Sequence, residues 1–150
     1  MLEEFLDVNN VDAEIITFPR DTSVQSALFE TRISPASAIV TEFFMDEKDN
    51  EFIFVHSIQT RLDLEKLKKI TKAFELFLKN PDEIFEATGY KKEFLPPIGV
   101  YGVTVYLDRS LQGKENLLCK VGERAFLKIS PQELIDVNEQ AFVDAITKSK

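Results

Sequence analysis

The sequence predicts an α+β fold, with a mixed central β-sheet surrounded by helices, in a single domain of 150 residues. Short apolar runs of strand length are separated by capped, amphipathic segments, which indicates both strands and helices. The strands do not alternate strictly with long helices, so a doubly wound parallel sheet is not expected. With 44% hydrophobic residues the chain can bury one core, because a domain of this size buries roughly 68–70% of its unfolded surface.

The N-terminal part predicts the order helix, strand, helix. Residues 2–8 (LEEFLDV) have the pattern of a short helix, and residues 13–18 (AEIITF) have that of a strand ended by a proline. A second helix is expected to run to about residue 30, with Asp21 or Thr22 as its N-cap.

The next two segments predict an antiparallel hairpin. Residues 39–45 (IVTEFFM) and 51–57 (EFIFVHS) are joined by a charged connection that ends in Asp-Asn. Both segments carry apolar residues on both faces, so we expect them at the centre of the sheet. Asp63 then caps a helix that has one apolar stripe and a lysine-rich face, which is expected to be solvated.

The second half of the chain continues the mixture of strands and helices. Its expected strands cover residues 74–78, 103–107, 116–121 and 124–129. One helix is expected to start at Asn80 and to end at Gly89, a natural left-handed C-cap. Ser130 opens another helix, and Asn138 is expected to restart it through Ile146.

Charge and composition narrow the range of partners. The net charge is −8, with 18 Lys and Arg scattered among 26 acidic residues, so no overall field attracts a polyanion. Tight unaided binding to DNA or RNA is not expected, and a tRNA would have to be presented by another protein, such as a synthetase. No apolar run approaches the roughly 20 residues that cross a bilayer, so no membrane partner is expected. The only cysteine, Cys119, cannot form an internal disulfide, and the N-terminus lacks a secretory signal, which together predict a cytoplasmic protein.

Most catalytic motifs are missing from the sequence. The single histidine, His56, excludes a histidine-rich zinc cluster, and no glycine-rich phosphate loop is present, so neither a metal nor a cofactor is expected. Cys119 and His56 could in principle act as nucleophile and base. Both lie in predicted strands, however, where packing is the better interpretation.

Residues 88–99 (TGYKKEFLPPIG) stand out from the rest of the chain. A helix C-cap is followed by a loop that Pro96 and Pro97 restrain, and then by Gly99 just ahead of a central strand. A stiff loop of this kind can hold backbone N–H groups toward a carbonyl oxygen, as acyl-transfer sites do. An ordinary structural turn is the alternative interpretation.

This segment resembles the TGy-x-x-GG-x-pPfG loop of the YbaK family, the prolyl-tRNA synthetase-associated editing domains. That family includes free-standing deacylases that hydrolyse mischarged aminoacyl-tRNA. Three other segments are similar to the family in the same order, namely RLDLEKLKKI, VTVYLDRSL and LKISPQELI. The similarity extends from about residue 21 to about residue 137 and implies the family's α+β fold.

The resemblance implies a pocket that admits the amino acid on the 3′ end of a tRNA, with loop amides near the ester carbonyl and water as the attacking group. The loop positions whose backbone amides are expected to be catalytic are Glu93, Phe94 and Gly99. The residues expected to contact substrate are Thr41, Glu42, Lys92, Pro97, Cys119 and Gly122. No protein nucleophile, cofactor or metal is implied.

Two departures from the family pattern bear on activity. Thr41, followed by Glu42, stands where the family has a lysine that holds the terminal phosphate. The two loop glycines are replaced by Glu93 and Phe94. Lys91 and Lys92 in the same loop could present a replacement cation, and solvated loop charge is the alternative interpretation. The expected function is hydrolysis of a mischarged aminoacyl-tRNA. The alternative is a binding module that keeps the fold without hydrolysis and recognises a tRNA acceptor end, a small ligand or a protein partner.

Overall fold

The computed structural model describes residues 1–150 and confirms the predicted α+β class. The α-helices are α1 (Leu2–Val8), α2 (Val24–Thr31), α3 (Leu64–Thr71), α4 (Pro81–Thr88) and α5 (Pro131–Val137). The strands are β1 (Ala13–Thr17), β2 (Ala38–Asp46), β3 (Glu51–Ser57), β4 (Thr60–Leu62), β5 (Leu76–Leu78), β6 (Thr104–Asp108), β7 (Leu117–Lys120), β8 (Ala125–Ile129), β9 (Ala141–Asp144) and β10 (Thr147–Ser149). Short 3-10 helices lie at Pro35–Ser37, Lys92–Phe94 and Arg109–Leu111. None of the helices combines the length and apolarity that crossing a bilayer requires.

An eight-stranded mixed sheet forms the centre of the fold. Its order is β1-β8-β7-β2-β3-β6-β9, and β5 also pairs with β2. β2 and β3 form the predicted antiparallel hairpin, with Ile39 opposite Ser57 and Met45 opposite Glu51. β5 covers only the last three residues of the predicted strand 74–78. The hairpin lies in the middle of the sheet, as expected for strands with two apolar faces.

The two faces of the hairpin bury different cores. Ile39 and Phe43 face a main core of 18 buried residues, to which α1, α4 and α5 contribute. Phe44 and Phe54 face a smaller cluster that Leu67 of α3 covers. This alternation fixes the pairing register, because a shift of one residue would exchange the two faces.

Most of the helix caps are the residues that the sequence predicts. Asp63, Asn80 and Ser130 accept backbone hydrogen bonds from the first turns of α3, α4 and α5, as predicted. α4 ends at Gly89 with φ 81°, in the left-handed conformation that a glycine C-cap adopts without strain.

The predicted cap of α2 needs a correction. Ser23, and not Asp21 or Thr22, is the N-cap, and its side chain accepts the amide of the third following residue. The other two side chains are engaged elsewhere. Asp21 lies 3.4 Å from Arg124, and the Thr22 hydroxyl donates to the Arg20 carbonyl at 2.8 Å.

The prediction that a helix restarts at Asn138 and continues to Ile146 is wrong. The chain instead forms β9, which lies parallel beside β6, and β10, which pairs with β4. The Asn138 backbone is extended (φ −84°, ψ 138°), and its side-chain amide donates to the carbonyls of Leu134 (2.8 Å) and Pro97 (3.1 Å), which ends α5. The Asp108 carboxylate accepts the Ile146 amide at 3.0 Å and ties the C-terminal segment to the sheet.

Candidate functional site

The edge of β2 is open over a short stretch in the middle of the sheet. On this side, pairing with β7 ends at Ile39 and pairing with β5 begins at Phe44. Ile39 pairs with β7, and the Phe43 carbonyl accepts the Lys79 amide at 2.8 Å. The backbone N–H and C=O groups of the odd-numbered residues of β2 therefore point toward this edge. The N–H and C=O of Thr41 therefore have no strand partner.

A pocket of about 310 Å³ lies at this opening. Thr41 of β2 and Cys119 of β7 contribute to one side, and Lys92 and Leu95 of the loop after α4 contribute to the other. The remaining lining residues are Val24, Ile39, Val40, Glu42, Ile58, Glu93 and Lys120. This volume is at the lower end of the range for small-molecule sites, about 300–1,000 Å³.

The turn that borders the pocket leaves two backbone amides free. Lys91 is extended (φ −67°, ψ 147°), and the 3-10 helix Lys92–Phe94 follows it. The Phe94 amide donates to the Lys91 carbonyl at 2.9 Å, and the Leu95 amide to the Lys92 carbonyl at 3.3 Å. The amides of Lys92 and Glu93 find no acceptor within the chain, as expected for the first donors of a helical turn. These two N–H groups are available to a bound carbonyl oxygen.

The structure brings together five of the residues that the sequence analysis singled out. Thr41, Glu42, Lys92, Glu93 and Cys119 all line the pocket. They come from β2, β7 and the loop after α4, so the fold and not the sequence spacing makes them neighbours. Their roles toward a substrate stay predictions.

Phe94 and Gly122 do not line the pocket. The Phe94 amide donates to the Lys91 carbonyl at 2.9 Å, and its role toward a substrate stays a prediction. The Phe94 side chain also leaves the pocket open. Gly122 lies in the turn between β7 and β8, where its carbonyl accepts the Ala125 amide at 3.4 Å.

Pro97 and Gly99 likewise lie outside the pocket and support the loop from elsewhere. Pro97 is buried, and its carbonyl accepts the Asn138 side chain at 3.1 Å. Gly99 has φ 80°, and a Cβ at this position would lie 3.4 Å from the Phe5 ring of α1. The left-handed backbone explains this glycine, because a Cβ here would make only an ordinary contact with Phe5 but would strain the backbone. The role of the Gly99 amide toward a substrate stays a prediction.

Cys119 is not arranged as a nucleophile. Only 3% of the residue is exposed, and this burial raises the pKa of the thiol to about 12, although the contact with Thr41 Oγ1 at 4.0 Å acts in the opposite direction. His56 lies opposite Val40, whereas Cys119 lies opposite Ile39, so the two side chains are on opposite faces of the sheet. A Cys119–His56 catalytic pair is therefore excluded.

Two features of the pocket were not predicted from the sequence. Nε2 of His56 lies 2.6 Å from Oε2 of Glu42, and 5% of the His56 and 27% of the Glu42 side chain is exposed. Lys120 lines the pocket next to Cys119, with Nζ 5.9 Å from the Phe126 ring centre. The hairpin register could have indicated the first contact, because it places Glu42 and His56 diagonally on the same face.

The fold and the pocket define a small α+β domain with a ligand-sized opening between a strand edge and a turn with free amides. Residues 19–137 match the aminoacyl-tRNA editing domain family, and the chain therefore belongs to this family. This match confirms the resemblance carried by residues 88–99, and it makes the chain an aminoacyl-tRNA editing domain. No curated protein sequence matches the chain.

Solved structures support the fold assignment. A candidate trans-editing enzyme for prolyl tRNA synthetase is 23% identical, with a TM-score of 0.83 over 99% of this chain and 95% of the other. A hypothetical protein is 21% identical, with a TM-score of 0.85 over 98% of this chain and 99% of the other. A candidate signal transduction protein from Marinobacter aquaeolei VT8 is 16% identical, with a TM-score of 0.71 over 97% of this chain and 30% of the other. At these identities the likeness establishes the fold alone.

Proposed function

We propose that this editing domain hydrolyses the ester of a mischarged aminoacyl-tRNA in the pocket at Thr41. The observation that carries the proposal is the pair of unpaired amides at Lys92 and Glu93, which border the same pocket as the open edge of β2. An ester carbonyl bound between the turn and the strand edge would meet two preorganised N–H donors. Such donors stabilise the charge that develops on the carbonyl oxygen in the transition state.

The proposed reaction needs no protein nucleophile. A water oxygen attacks the ester carbonyl carbon, and the negative charge develops on the carbonyl oxygen beside the amides of Lys92 and Glu93. The bond to the ribose oxygen then breaks, and the proton lost by the water passes to that oxygen, which leaves free amino acid and uncharged tRNA. The Cys119 thiol stays protonated because its pKa is about 12, so attack by sulfur is not part of the reaction.

The tRNA contact is proposed to be small. Thr41, 5% exposed, cannot supply the charge of the family lysine, but Lys92 and Lys120 line the same pocket from its two sides. Two cations contribute only a limited affinity for phosphates. With a net charge of −8, the domain would receive its substrate from a synthetase in the cytoplasm rather than capture free tRNA.

A second candidate function is binding of an acceptor end, a small amino-acid-like ligand or a protein partner without hydrolysis. The observation that favours it is Thr41 itself, since the family lysine is absent from a pocket that is otherwise open. Glu42, the next residue of β2, also adds a negative charge near a phosphodiester bound at Thr41.

Deacylation of a panel of mischarged aminoacyl-tRNAs distinguishes the two functions. We expect the wild type to hydrolyse at least one member of the panel, and Thr41→Lys to raise kcat/KM about tenfold or more, because it restores a charge-assisted contact. Glu93→Gly should keep activity, since the amide remains. Thr17→Lys, which adds the same charge on β1 outside the pocket, is the matched control. If the wild type and both pocket variants hydrolyse nothing, the proposed reaction is wrong and the binding function is favoured.

A further inference from the structure

The gap in the sheet beside β2 is one pairing residue long. β7 pairs with β2 as far as Ile39, and on the other side of the gap the Phe43 carbonyl accepts the Lys79 amide. Successive residues of a strand point their backbone groups to alternate edges, so Thr41 is the one residue between Ile39 and Phe43 that points both groups into this gap. Neither its N–H nor its C=O forms a hydrogen bond within the chain.

The two unpaired groups of Thr41 lie in a buried place. The residue is only 5% exposed, and it lines the pocket of about 310 Å³. Buried backbone N–H and C=O groups are paired in the great majority of cases, because removing them from water without a partner is costly. The pocket therefore presents one donor and one acceptor, side by side, to which a ligand can bind.

An aminoacyl group carries the complementary pair of groups. In antiparallel pairing, the N–H and C=O of one residue bond to the C=O and N–H of the residue opposite it. The α-nitrogen and the acyl oxygen of an aminoacyl ester are joined through the same two carbon atoms as the N–H and C=O of a strand residue. The α-nitrogen is an ammonium group when protonated, and a charged donor forms a stronger hydrogen bond than a neutral one.

We propose that the aminoacyl group binds as a one-residue strand partner of Thr41. The α-ammonium group donates to the Thr41 carbonyl, and the Thr41 N–H donates to the acyl oxygen. The proposal rests on the Thr41 pocket being the site of the aminoacyl ester, but it does not depend on hydrolysis. It makes the domain selective for acyl groups that carry an amino group on the α-carbon. The contact uses the backbone alone, so it is compatible with a threonine at the position of the family lysine.

The turn after α4 can bind the same acyl oxygen from the other side of the pocket. The amides of Lys92 and Glu93 border the pocket and have no acceptor within the chain. A carbonyl oxygen has two lone pairs, so it can accept from the Thr41 N–H and from the turn together. The strand edge thereby positions the ester, and it adds one donor to those that stabilise the charge on the acyl oxygen.

Glu93 is the competing partner for an ammonium group, because it also lines the pocket. Its side chain is exposed and forms no hydrogen bond or ion pair with another side chain. A carboxylate that nothing holds in place loses conformational entropy on binding, whereas the Thr41 carbonyl is fixed by the central strand. The Glu42 carboxylate is bonded to His56 on the opposite face of the sheet from the Thr41 side chain, so it is not assigned this contact.

The first experiment uses three adenosine probes in which an amide replaces the ester. They are 3′-(L-alanylamino)-3′-deoxyadenosine, its β-alanyl isomer and its propionyl counterpart. The β-alanyl isomer has the same charge and composition, but its ammonium group is one carbon further from the carbonyl, and the propionyl probe has no ammonium group. In isothermal titration calorimetry with the full chain, we expect the alanyl probe to bind about 10- to 100-fold more tightly than either of the others.

A variant and a structure locate the contact. Glu93→Gln removes the competing carboxylate and keeps the backbone N–H, so the preference for the alanyl probe should be retained. Glu115→Gln, at an exposed site outside the pocket, makes the same change in net charge and is the matched control. In a crystal structure with the alanyl probe, we expect the α-nitrogen to lie within about 3.2 Å of the Thr41 oxygen, and the acyl oxygen within about 3.2 Å of the Thr41 nitrogen.

Each other outcome overturns the proposal. It is wrong if the alanyl probe binds no more tightly than the β-alanyl or the propionyl probe, or if no probe binds. A preference that is lost in Glu93→Gln but kept in Glu115→Gln assigns the ammonium group to the Glu93 carboxylate instead. Because the probes are not esters, failure of hydrolysis in the tRNA panel and failure of the pairing with Thr41 are observed independently.

Discussion

Nε2 of His56 lies 2.6 Å from Oε2 of Glu42, although the two residues are not opposite each other in the hairpin. His56 is paired with Val40, and Glu42 with Phe54. The contact is a diagonal one across two central strands, on the face of the sheet opposite to the side chains of Thr41 and Cys119. The register of the hairpin therefore decides both the core packing and which polar side chains meet on each face.

The first prediction concerns this pair. His56→Phe should lower the free energy of unfolding by about 1–3 kcal/mol, because a partly buried carboxylate loses its hydrogen-bond partner. In a double-mutant cycle with Glu42→Ala, measured by urea denaturation, a coupling of about 0.5–3 kcal/mol is expected. The more exposed pair of Glu14 and Lys128, 3.8 Å apart, should give at most about 1 kcal/mol. Additive effects of the two substitutions would show that the pair does not interact.

The second prediction concerns Cys119 and alkaline pH. Burial raises the thiol pKa from 9.0 to about 12, so the folded state keeps its proton where the unfolded state has lost it. Folding stability should therefore fall as the pH rises from 9 toward 12, by about 1.4 kcal/mol per pH unit from this group. The free energies of unfolding of wild type and Cys119→Ala should therefore converge over this pH interval. If the free energies of unfolding of the two proteins instead stay parallel across this pH range, the raised thiol pKa is wrong. Rapid alkylation of Cys119 in the folded protein at pH 8 would also contradict it.

The third prediction concerns the salt dependence of RNA binding. Two pocket lysines allow about two phosphate contacts, so log affinity for an acceptor-stem minihelix should fall with log salt with a slope no steeper than about −1.4. Lys92→Gln and Lys120→Gln should each reduce that slope by about 0.7. Lys69→Gln, on the exposed face of α3, should leave it unchanged. Fluorescence anisotropy measures the slopes, and an effect at Lys69 equal to that at Lys120 would locate the RNA elsewhere.

Local signals made much of the fold predictable. Asp63, Asn80 and Ser130 cap their helices as their side chains suggest, and the central hairpin follows from two apolar segments and a short charged connection. The prediction for the C-terminal segment was wrong because residues 141–146 are compatible with either a helix or a strand. Their conformation is decided by pairing with β6, a contact distant in sequence.

The site was predictable only in part for the same reason. The family resemblance led to Thr41, Glu93 and Cys119, which the fold brings to one pocket. The open strand edge depends on where β7 stops pairing and β5 starts, which no local pattern encodes. The Glu42–His56 contact likewise requires the exact hairpin register, which the sequence analysis did not use.

In the proposed reaction, the amides of the turn at Lys92 and Glu93 stabilise the oxyanion of ester hydrolysis. Lys92→Pro removes one of these N–H groups without breaking a hydrogen bond of the chain. The substitution suits the backbone, because Lys91 is extended and position 92 is the first residue of the turn. Lys92→Ala is the matched control, since it removes the same side chain and retains the N–H.

Single-turnover deacylation of the best substrate in the tRNA panel compares these two variants directly. We expect Lys92→Pro to be about 100-fold slower than Lys92→Ala, which is the loss typical of one oxyanion donor. Circular dichroism should show the same fold for both. Equal rates for the two variants would contradict the assignment of this turn as the catalytic element.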